Sequence, residues 1–345
     1  MQNVRVVIAG DKSMAEIPED LDKAFKELGY NSSFYHFHYR RFAHKIAWGF
    51  INTPFRFSKK IGDFIMHFIV VDSNKKFVKH ILSIKPDLVI VINGFSLLRS
   101  SLIELRENKI KIFNWVVDDP SRARFSSFTE SSMFYDILFC CSKSWLDYIK
   151  IYNKNIIYLP LAVNTKKYKK EKIINDFKYD ICFVGTFTDN DSSSYFRFYL
   201  LNFLSKFNYK IRVAGTNVLE YFKGKCNSFI LSDKQSLPDV INIYQNSKIV
   251  FNPFNIYNQD VISLRIFETG SMNIFQIVPF QKELFELFGD KIVSFKNLDE
   301  LSEKASYYLK NDFERCKKAQ ELNSIILEKH TYTDRVKLII QNFKS

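Results

Sequence analysis

The sequence is poor in glycine and proline, with ten Gly and eight Pro among 345 residues, and it has no long serine-rich or single-residue tract. This composition argues against a disordered chain or a repeat array. The five cysteines show neither a CxxC nor a Cys/His metal-ligand spacing. Cys140, Cys141 and Cys182 fall within apolar, strand-like runs. We therefore expect buried, reduced thiols rather than disulfides.

Long apolar runs are also missing. The run at residues 64–71 is much shorter than the roughly 18 residues that span a bilayer. The N-terminus, MQNVRVVIAGD, lacks the apolar core and cleavage signature of a signal peptide and has the pattern of a first core strand. These features predict a cytoplasmic protein.

The sequence contains neither a GxGxxG motif nor a P-loop. Both motifs need several glycines, because the backbone must approach phosphates closely. Their absence argues against nicotinamide-dependent enzymes and NTPases. We predict no cofactor and no metal ion.

Positive charge and apolar residues are abundant instead. Fifty Lys and Arg against 37 Asp and Glu give a formal net charge of +13. This excess favours acidic partners, such as nucleic acid, an anionic membrane face or phosphorylated small molecules. Hydrophobic residues make up 46% of the 345 residues, which predicts two domains with separate cores.

Short apolar runs alternate with helical segments, as in parallel α/β units. The predicted strands cover 4–10, 33–37, 87–94, 111–117, 136–141, 156–163, 181–187, 210–215, 228–232, 248–254, 274–278 and 291–295. The predicted helices cover 18–28, 97–107, 143–152, 193–206, 238–246, 260–272 and 282–288, with a helical tail from about 298. We predict doubly wound domains at 1–165 and 180–330, a linker at 166–179, and a last helix at 331–345 that packs back toward the first domain.

Two charged residues lie in the otherwise apolar strand-helix-strand segment 248–279. If a helix begins near Asp260, Glu268 falls next to Val261 on the helical wheel, among apolar side chains. A buried carboxylate costs about 2 kcal/mol or more unless it is hydrogen-bonded. Two interpretations stay open: a ligand completes the site, or Arg265 pairs with Glu268 and Asp260 only caps the helix.

In doubly wound sheets, ligands bind at the carboxyl ends of the strands. The loops that follow the predicted strands carry single glycines and acidic residues, at Gly10–Asp11, Gly94, Asp118–Asp119, Gly185–Thr186 and Gly215. Single glycines at strand ends are also common in ordinary tight turns.

Several motifs, taken in order, resemble a known family. NWVVDDP at 114–120, PDLVIVING at 86–94 and LRIFE at 264–268 resemble the CgeB-like family of GT-B glycosyltransferases, named for a spore maturation protein. The segments 183–197, 213–215, 263–273 and 330–336 are similar to the donor-binding half of such enzymes. The resemblance covers nearly the whole chain. It implies two Rossmann-like domains facing a cleft, and retaining, metal-independent transfer from a nucleotide sugar.

By position, Glu268 matches the second glutamate of the E-x7-E motif, which in such enzymes accepts hydrogen bonds from the ribose hydroxyls. Asp260 stands in place of the first glutamate, where it would meet a sugar hydroxyl or only cap the helix. Asn273 replaces the glycine that usually ends the helix, and asparagine also tolerates the left-handed conformation.

The resemblance also implies contacts with the diphosphate leaving group. Arg265 and Arg197 would neutralise the charge that builds on this group as the glycosidic bond breaks. Taken alone, each arginine also fits a structural role. The other predicted donor-binding residues are Gly185, Thr186, Gly215, Ser263 and Thr269.

The acceptor side is predicted in the first domain. A carboxylate of Asp118 or Asp119 would orient or deprotonate an acceptor hydroxyl, although a helix cap and turn is an alternative for this pair. The other acceptor-side candidates are Gly10, Asp11 and Gly94. The basic aromatic stretch 34–60 would seat a lipid-linked acceptor or contact an anionic membrane, or would cover the sheet as a solvated helix pair.

We therefore predict a glycosyltransferase that moves a sugar from a nucleotide-sugar donor to a glycan, lipid-linked or protein acceptor of the cell envelope or surface. One alternative is a catalytically silent nucleotide-sugar or glycan-binding protein, in which Asp260 marks a lost catalytic acid. Another is a nucleobase glucosyltransferase that acts on DNA or RNA. We expect no nucleic acid partner, because the basic residues are scattered rather than gathered into one stripe.

Overall fold

The chain forms two compact units. The computed structural model describes residues 4–10, 16–37, 46, 49–51, 56–120, 127–169, 176–225, 228–233, 235–256 and 261–344. Asp11, Cys226 and Asp260 lie outside the described residues. The first unit combines Met1–Pro160 with Tyr332–Ser345, and the second unit is Leu161–Thr331. The predicted domains ended at 165 and 330.

The first unit contains a six-stranded sheet in the order β2-β1-β3-β4-β5-β6, with all neighbours parallel. Its strands are β1 (Arg5–Gly10), β2 (Asn31–His36), β3 (Leu88–Ile92), β4 (Lys111–Val116), β5 (Ile137–Cys140) and β6 (Ile156–Tyr158). All five residues of β3 are buried. A continuous apolar strand of this kind belongs in a parallel sheet that helices cover on both faces.

Helices alternate with these strands. They include α1 (Ile17–Glu27), α2 (Arg56–Ile84), α3 (Arg99–Glu107), α4 (Phe128–Ser131) and α5 (Lys143–Lys150). Helix α2 was not among the predicted helices, and the apolar run 64–71 lies inside it. Its residues Phe77, Val78 and Ile81 belong to the core that contains β3. None of the described helices is both long enough and apolar enough to cross a membrane.

The second unit has its own six-stranded parallel sheet, in the order β12-β11-β10-β7-β8-β9. Its strands are β7 (Tyr179–Thr186), β8 (Ile211–Thr216), β9 (Phe229–Ser232), β10 (Ser247–Phe251), β11 (Gln276–Pro279) and β12 (Val293–Phe295). Numbered within this unit, the order is 3-2-1-4-5-6, which is the Rossmann arrangement. The two sheets confirm the twelve predicted strands.

The helices of the second unit are α6 (Ser192–Ser205), α7 (Val218–Phe222), α8 (Leu237–Gln245), α9 (Leu264–Ser271), α10 (Lys282–Phe288), α11 (Leu298–Lys310) and α12 (Asp312–Lys329). Local signals explain several starts. Asp191 caps α6 by accepting a hydrogen bond from the Ser194 N–H at 2.7 Å. Helix α8 begins with a capping box between Ser236 and Asp239.

Helix α9 begins later than predicted. Its N-cap is Ser263, so the expected start near Asp260 is wrong. Val261 is buried but precedes the helix, so the helical-wheel position predicted for Glu268 does not apply. Glu268 is half-buried rather than enclosed by apolar side chains. The end of the helix agrees with the prediction, because Asn273 is left-handed with a φ of 56°.

The last helix, α13 (Tyr332–Lys344), belongs to the first unit and packs on α1. Val336, Ile339 and Ile340 are buried. The Nε of Arg335 donates a hydrogen bond of 2.7 Å to the carbonyl of Pro160. This packing confirms that the C-terminal helix returns to the N-terminal domain.

The described cysteines are free thiols. Cys140, Cys141 and Cys182 are buried, as their apolar strands predicted. Cys316 is exposed, so the expectation of a buried thiol is wrong there. It lies on α12.

Candidate functional site

Strand order locates a candidate site in each unit. Ligands of doubly wound sheets bind outside the carboxyl ends of the strands where the strand order reverses. In the second unit this point lies between β7 and β10. Gly185 and Thr186 end β7, and Asn252 follows β10. In the first unit the reversal lies between β1 and β3, which end at Gly10 and Ile92.

Two glycines lie side by side near this point of the second unit. Gly185 and Gly215 are partners in the β7–β8 register. Gly215 has a φ of +140°, and a Cβ there would lie 1.8 Å from the carbonyl oxygen of Gly185. Only glycine fits this position. The paired glycines therefore let the two strands approach closely just before they end at Thr186 and Thr216.

Two arginines share one aromatic ring beside these glycines. Arg197 of α6 donates a hydrogen bond of 2.9 Å from Nη1 to the carbonyl of Thr186. Arg265 of α9 places Nη1 3.5 Å from the Oδ1 of Asn252. The guanidinium carbons of Arg197 and Arg265 lie 6.0 and 5.5 Å from the ring centroid of Phe183. The structure thus brings together four predicted donor-binding residues, Gly185, Thr186, Arg197 and Arg265.

Burial and like charge both act on this pair. The pKa of Arg197 is lowered to about 10, mainly by burial and to a smaller extent by the positive charge of Arg265. The carboxylate of Asp191 acts in the opposite direction. The Nε of Arg197 is also buried without a hydrogen-bond partner among the described residues. Like charges in a partly buried place disfavour each other, and an anion between them would relieve that cost. The pair is therefore suited to bind an anionic group.

A buried polar chain supports Arg265. Asn252 and Gln276 are each 2% exposed. The amide of Asn252 donates a hydrogen bond of 3.1 Å to Gln276, whose amide donates one of 2.9 Å to the carbonyl of Ile266. These bonds fix the Asn252 side chain. The sequence prediction missed both residues, although each is polar within an otherwise apolar strand segment.

Glu268 lies on the same helix as Arg265. Burial raises the pKa of the Tyr244 hydroxyl on α8, Arg265 lowers this pKa, and Glu268 raises it. Both charged groups therefore act on one buried tyrosine. Tyr244 was not predicted as a site residue.

The remaining predicted residues of α9 differ in accessibility. Ser263 is half-buried at the N-cap position, where its side chain makes no capping hydrogen bond. Thr269 is fully buried, and its hydroxyl donates a hydrogen bond of 2.8 Å to the carbonyl of Arg265. We leave Thr269 out of the proposed donor contacts, because its hydroxyl serves the helix.

In the first unit, Asn93 holds the predicted residue Asp118. Asn93 is left-handed, with a φ of 57°. Its Oδ1 accepts hydrogen bonds from the N–H groups of Val117 and Asp118, at 2.8 and 3.1 Å. Its Nδ2 donates a hydrogen bond of 2.9 Å to the Asp118 carboxylate. Asn93 was missed, although an Asn-Gly pair at the end of a buried strand marks a left-handed turn.

The other predicted residues of the first unit border this turn or the next strand. Gly94 has a φ of +63°, and a Cβ there would lie 2.5 Å from a Val91 methyl carbon. A Cβ on Gly10 would lie 2.6 Å from the Cγ of Pro18. Asp118 is exposed and Asp119 is half-buried. Within the described residues, no group of three His, Cys, Asp or Glu side chains could hold a metal ion.

The chain is similar to one family model and to several solved structures. A family model described as glycosyl transferase-like matches residues 197–341. A comparison with curated protein sequences finds no match. A glycosyltransferase from Rickettsia africae ESF-5 is similar in structure, with 14% identity, a TM-score of 0.68, and coverage of 100% of this chain and 98% of that chain.

Two further structures are similar over their whole length. One is described as trehalose-6-phosphate from E. coli bound with UDP-2-fluoro glucose, with 12% identity, a TM-score of 0.70 and 99% coverage of each chain. The other is an α-glucosyltransferase in complex with UDP-glucose and DNA containing an abasic site, with 11% identity, a TM-score of 0.67 and 100% coverage of each chain. The two parallel sheets and these likenesses give the chain the GT-B fold, as predicted. The narrower CgeB-like affiliation stays a prediction.

Proposed function

We propose that the protein is a glycosyltransferase that takes a sugar from a nucleotide-sugar donor, with retention of configuration and without a metal ion. The observation that carries this proposal is the Arg197 and Arg265 pair at the point where the strand order of the second unit reverses. The match to a glycosyl transferase-like family model over 197–341 supports it.

The arginine pair is assigned to the diphosphate of the donor. When the glycosidic bond breaks, its electron pair stays on the diphosphate oxygen, so negative charge grows on the leaving group. Two guanidinium groups near that oxygen stabilise the transition state more than the ground state. The loops that follow Gly185–Thr186 of β7 and Gly215 of β8 are assigned to backbone N–H contacts with the diphosphate.

Glu268 is assigned to the nucleoside. A carboxylate accepts hydrogen bonds only, so it suits a pair of ribose hydroxyls, which donate them. Glu268 follows Arg265 by three residues on α9, so the two side chains lie on neighbouring faces of one helix. This spacing fits a ligand that has a diphosphate next to a ribose. Ser263, at the helix start, adds a hydroxyl to the same proposed contacts.

Asp118 is assigned to the acceptor. The acceptor oxygen must bond to the sugar carbon and lose its proton, and a carboxylate can accept that proton. The hydrogen bond that the Asn93 amide donates to the Asp118 carboxylate orients this exposed side chain. Asp119, Gly10 and Gly94 are the other proposed acceptor-side residues. Asp11 and Asp260 lie outside the described residues and keep their predicted roles.

The acceptor is proposed to be a cell-envelope or surface glycan, reached from the cytoplasmic side. A net charge of +13 supports contact with an anionic membrane. Phe64 and Phe68 lie one turn apart on α2 and are 74% and 58% exposed. Exposed aromatic side chains on a helix suit the interfacial region of a bilayer.

The first experiment screens nucleotide sugars for thermal stabilisation. A donor at about 100 times its Kd should stabilise the protein by about 2.7 kcal/mol. For a domain of this size, that corresponds to a rise in Tm of about 5 to 10 °C. The best ligand then defines the donor for turnover measurements.

The second experiment replaces Glu268. The Glu268→Ala variant should lose donor-dependent stabilisation and turnover while its Tm without ligand stays unchanged. The matched control is Glu303→Ala, which removes an exposed carboxylate from α11 of the same unit. Undiminished turnover in Glu268→Ala would refute the proposed function.

Two alternatives have distinct outcomes in these experiments. A catalytically silent binding protein would be stabilised by a nucleotide sugar but would not hydrolyse it in the absence of acceptor. A nucleic-acid-modifying enzyme would be retained on duplex DNA in a salt-dependent manner. We expect slow donor hydrolysis and no retention on DNA at physiological salt.

A further inference from the structure

A cavity of about 160 Å³ lies in the second unit, away from the proposed donor site. Ser247 and Lys248, which begin β10, line it, and so do Asn273, Ile274 and Phe275, which directly precede β11. The cavity therefore lies at the amino ends of the strands. The proposed donor site lies at the carboxyl ends, on the opposite edge of the same sheet.

One wall of the cavity is apolar. It consists of Phe177, Ile274, Phe275 and Ala319. An engineered apolar cavity of about 150 Å³ binds benzene. The cavity therefore has room for one ring-sized apolar group.

A buried arginine supplies positive charge to this cavity. Arg315 is 3% exposed. Its Nη1 donates hydrogen bonds to the Asp312 carboxylate and the Tyr308 carbonyl, at 2.6 and 2.8 Å. Both of these bonds use Nη1, so neither of them engages Nη2 or Nε. An anionic ligand in the cavity would give these N–H groups an acceptor.

The charges around the cavity favour an anion. Lys248 lines it together with Arg315, whose guanidinium carbon lies 5.4 Å from the ring centroid of Phe177. The Nζ of Lys248 also lies 3.7 Å from the Asp180 carboxylate, but both side chains are about 30% exposed, so solvent screens this pair. No Asp or Glu is among the described residues that line the cavity. The Asp312 side chain is 73% exposed, so solvent screens its charge.

Asn273 supplies an unused acceptor. Its backbone is left-handed, with a φ of 56°, and glycine could adopt the same conformation. The residue instead carries an amide whose Oδ1 is buried without a hydrogen-bond partner among the described residues. The turn does not need this side chain, whereas a ligand with an N–H or O–H group would satisfy it.

We propose that this cavity binds a small organic carboxylate with a ring-sized apolar body and one N–H or O–H donor. The carboxylate pairs with Arg315, the ring packs on Phe177 and Phe275, and the donor reaches Asn273. The proposal does not depend on the proposed transferase activity. The probe is 4-aminobenzoate, which has all three groups, and 4-aminobenzamide is the neutral control.

The rate at which Cys316 is alkylated measures binding of 4-aminobenzoate and needs no activity assay. Cys316 is exposed and lines the cavity. Cys140, Cys141 and Cys182 are buried, and a Cys226→Ser background removes the remaining thiol. We expect saturating 4-aminobenzoate to slow iodoacetamide modification of Cys316 in the full chain by about tenfold, and 4-aminobenzamide to have no effect. Absence of protection at millimolar 4-aminobenzoate overturns the proposal, and so does equal protection by the amide.

Two variants separate the two polar contacts. Arg315→Met keeps the apolar volume of the side chain and removes its charge, so 4-aminobenzoate should no longer protect Cys316 from iodoacetamide. Asn273→Gly keeps the left-handed turn and should weaken binding by about tenfold, the effect of one lost hydrogen bond to a buried group. Lys317→Met, at an exposed position of the same helix, is the control. If Arg315→Met does not fold, Asn273→Gly decides the question, and unchanged binding in that variant overturns the proposal.

Discussion

Replacing Gly215 with alanine tests the close contact between β7 and β8. A Cβ on this residue would lie 1.8 Å from the Gly185 carbonyl oxygen, and the φ of +140° is unsuited to any other residue. Because the nearest atom belongs to the backbone, no side-chain rotation relieves the clash. The two strands would have to separate at the place where the proposed donor diphosphate binds.

The expected loss combines two costs. Overpacking costs about 1 to 3 kcal/mol, and an unsuitable φ adds about 1 to 3 kcal/mol. We expect the free energy of unfolding of the second unit to fall by about 4 kcal/mol, a large fraction of the 5 to 15 kcal/mol typical of a domain. A loss of this size would expose the second unit to aggregation and proteolysis.

Alanine substitutions at two other glycines test the two costs separately, the backbone conformation at Gly224 and the steric overlap at Gly270. Gly224 has a φ of +71° and no atom within 4 Å of an added Cβ, so Gly224→Ala should cost about 1 kcal/mol from the backbone alone. Gly270 has no positive φ, but its Cβ would lie 2.3 Å from the Cδ1 of Ile326. That atom ends a flexible side chain, and alanine favours the helix by about 1 kcal/mol. Gly270→Ala should therefore cost about 1 kcal/mol as well.

Urea unfolding can assign the loss to one unit. The three tryptophans, Trp48, Trp115 and Trp145, all lie in the first unit, so their fluorescence reports on that unit alone. Far-UV circular dichroism reports on both units. For Gly215→Ala the dichroism transition should move to lower urea while the fluorescence transition stays. A midpoint equal to that of Gly224→Ala would refute the steric argument.

Three further predictions follow from other parts of the molecule. Asn93→Gly keeps the left-handed turn but loses the hydrogen bonds to Val117 and Asp118. The free energy of unfolding of the first unit, followed by fluorescence, should therefore fall by about 2 kcal/mol. An unchanged midpoint would contradict the role of Asn93. Ile339→Ala, in α13, should cost about 3 kcal/mol in the same fluorescence assay and leave the second unit unchanged; a shift of the second unit alone would contradict the placement of α13. Turnover of the donor should persist in excess EDTA, and its loss, restored by a divalent cation, would contradict metal-independent transfer.

The sequence predicted the sheets well because parallel strands are apolar on both faces. Runs such as Leu88–Ile92 stand out from their surroundings without any knowledge of their partners. Helix α2 was missed because apolar and polar residues are spread around it, so no single face marks it as a helix. The predicted start of α9 is too early because the apolar residues Val261 and Ile262 are buried before the helix begins, and an apolar pattern does not mark the first residue of a helix.

The candidate sites were predictable only in part. Arg265 could be selected because a charged residue in an apolar segment stands out, whereas Arg197 was selected through the family resemblance. Their shared contact with Phe183 could not be predicted, because it joins a strand to two helices far apart in sequence. Asn252 was missed for a similar reason, since its role depends on a hydrogen bond to Gln276 on the next strand.

The order of the two units along the chain has a consequence for synthesis on the ribosome. The first unit needs α13, which comes last in the sequence, whereas the second unit is complete at Thr331. Domains usually fold in the order of their synthesis. Here the unit that starts first is completed after the second unit, and the face of α1 that α13 covers stays open until α13 has been synthesised. A nascent chain stalled before Tyr332 would therefore present this apolar face to chaperones.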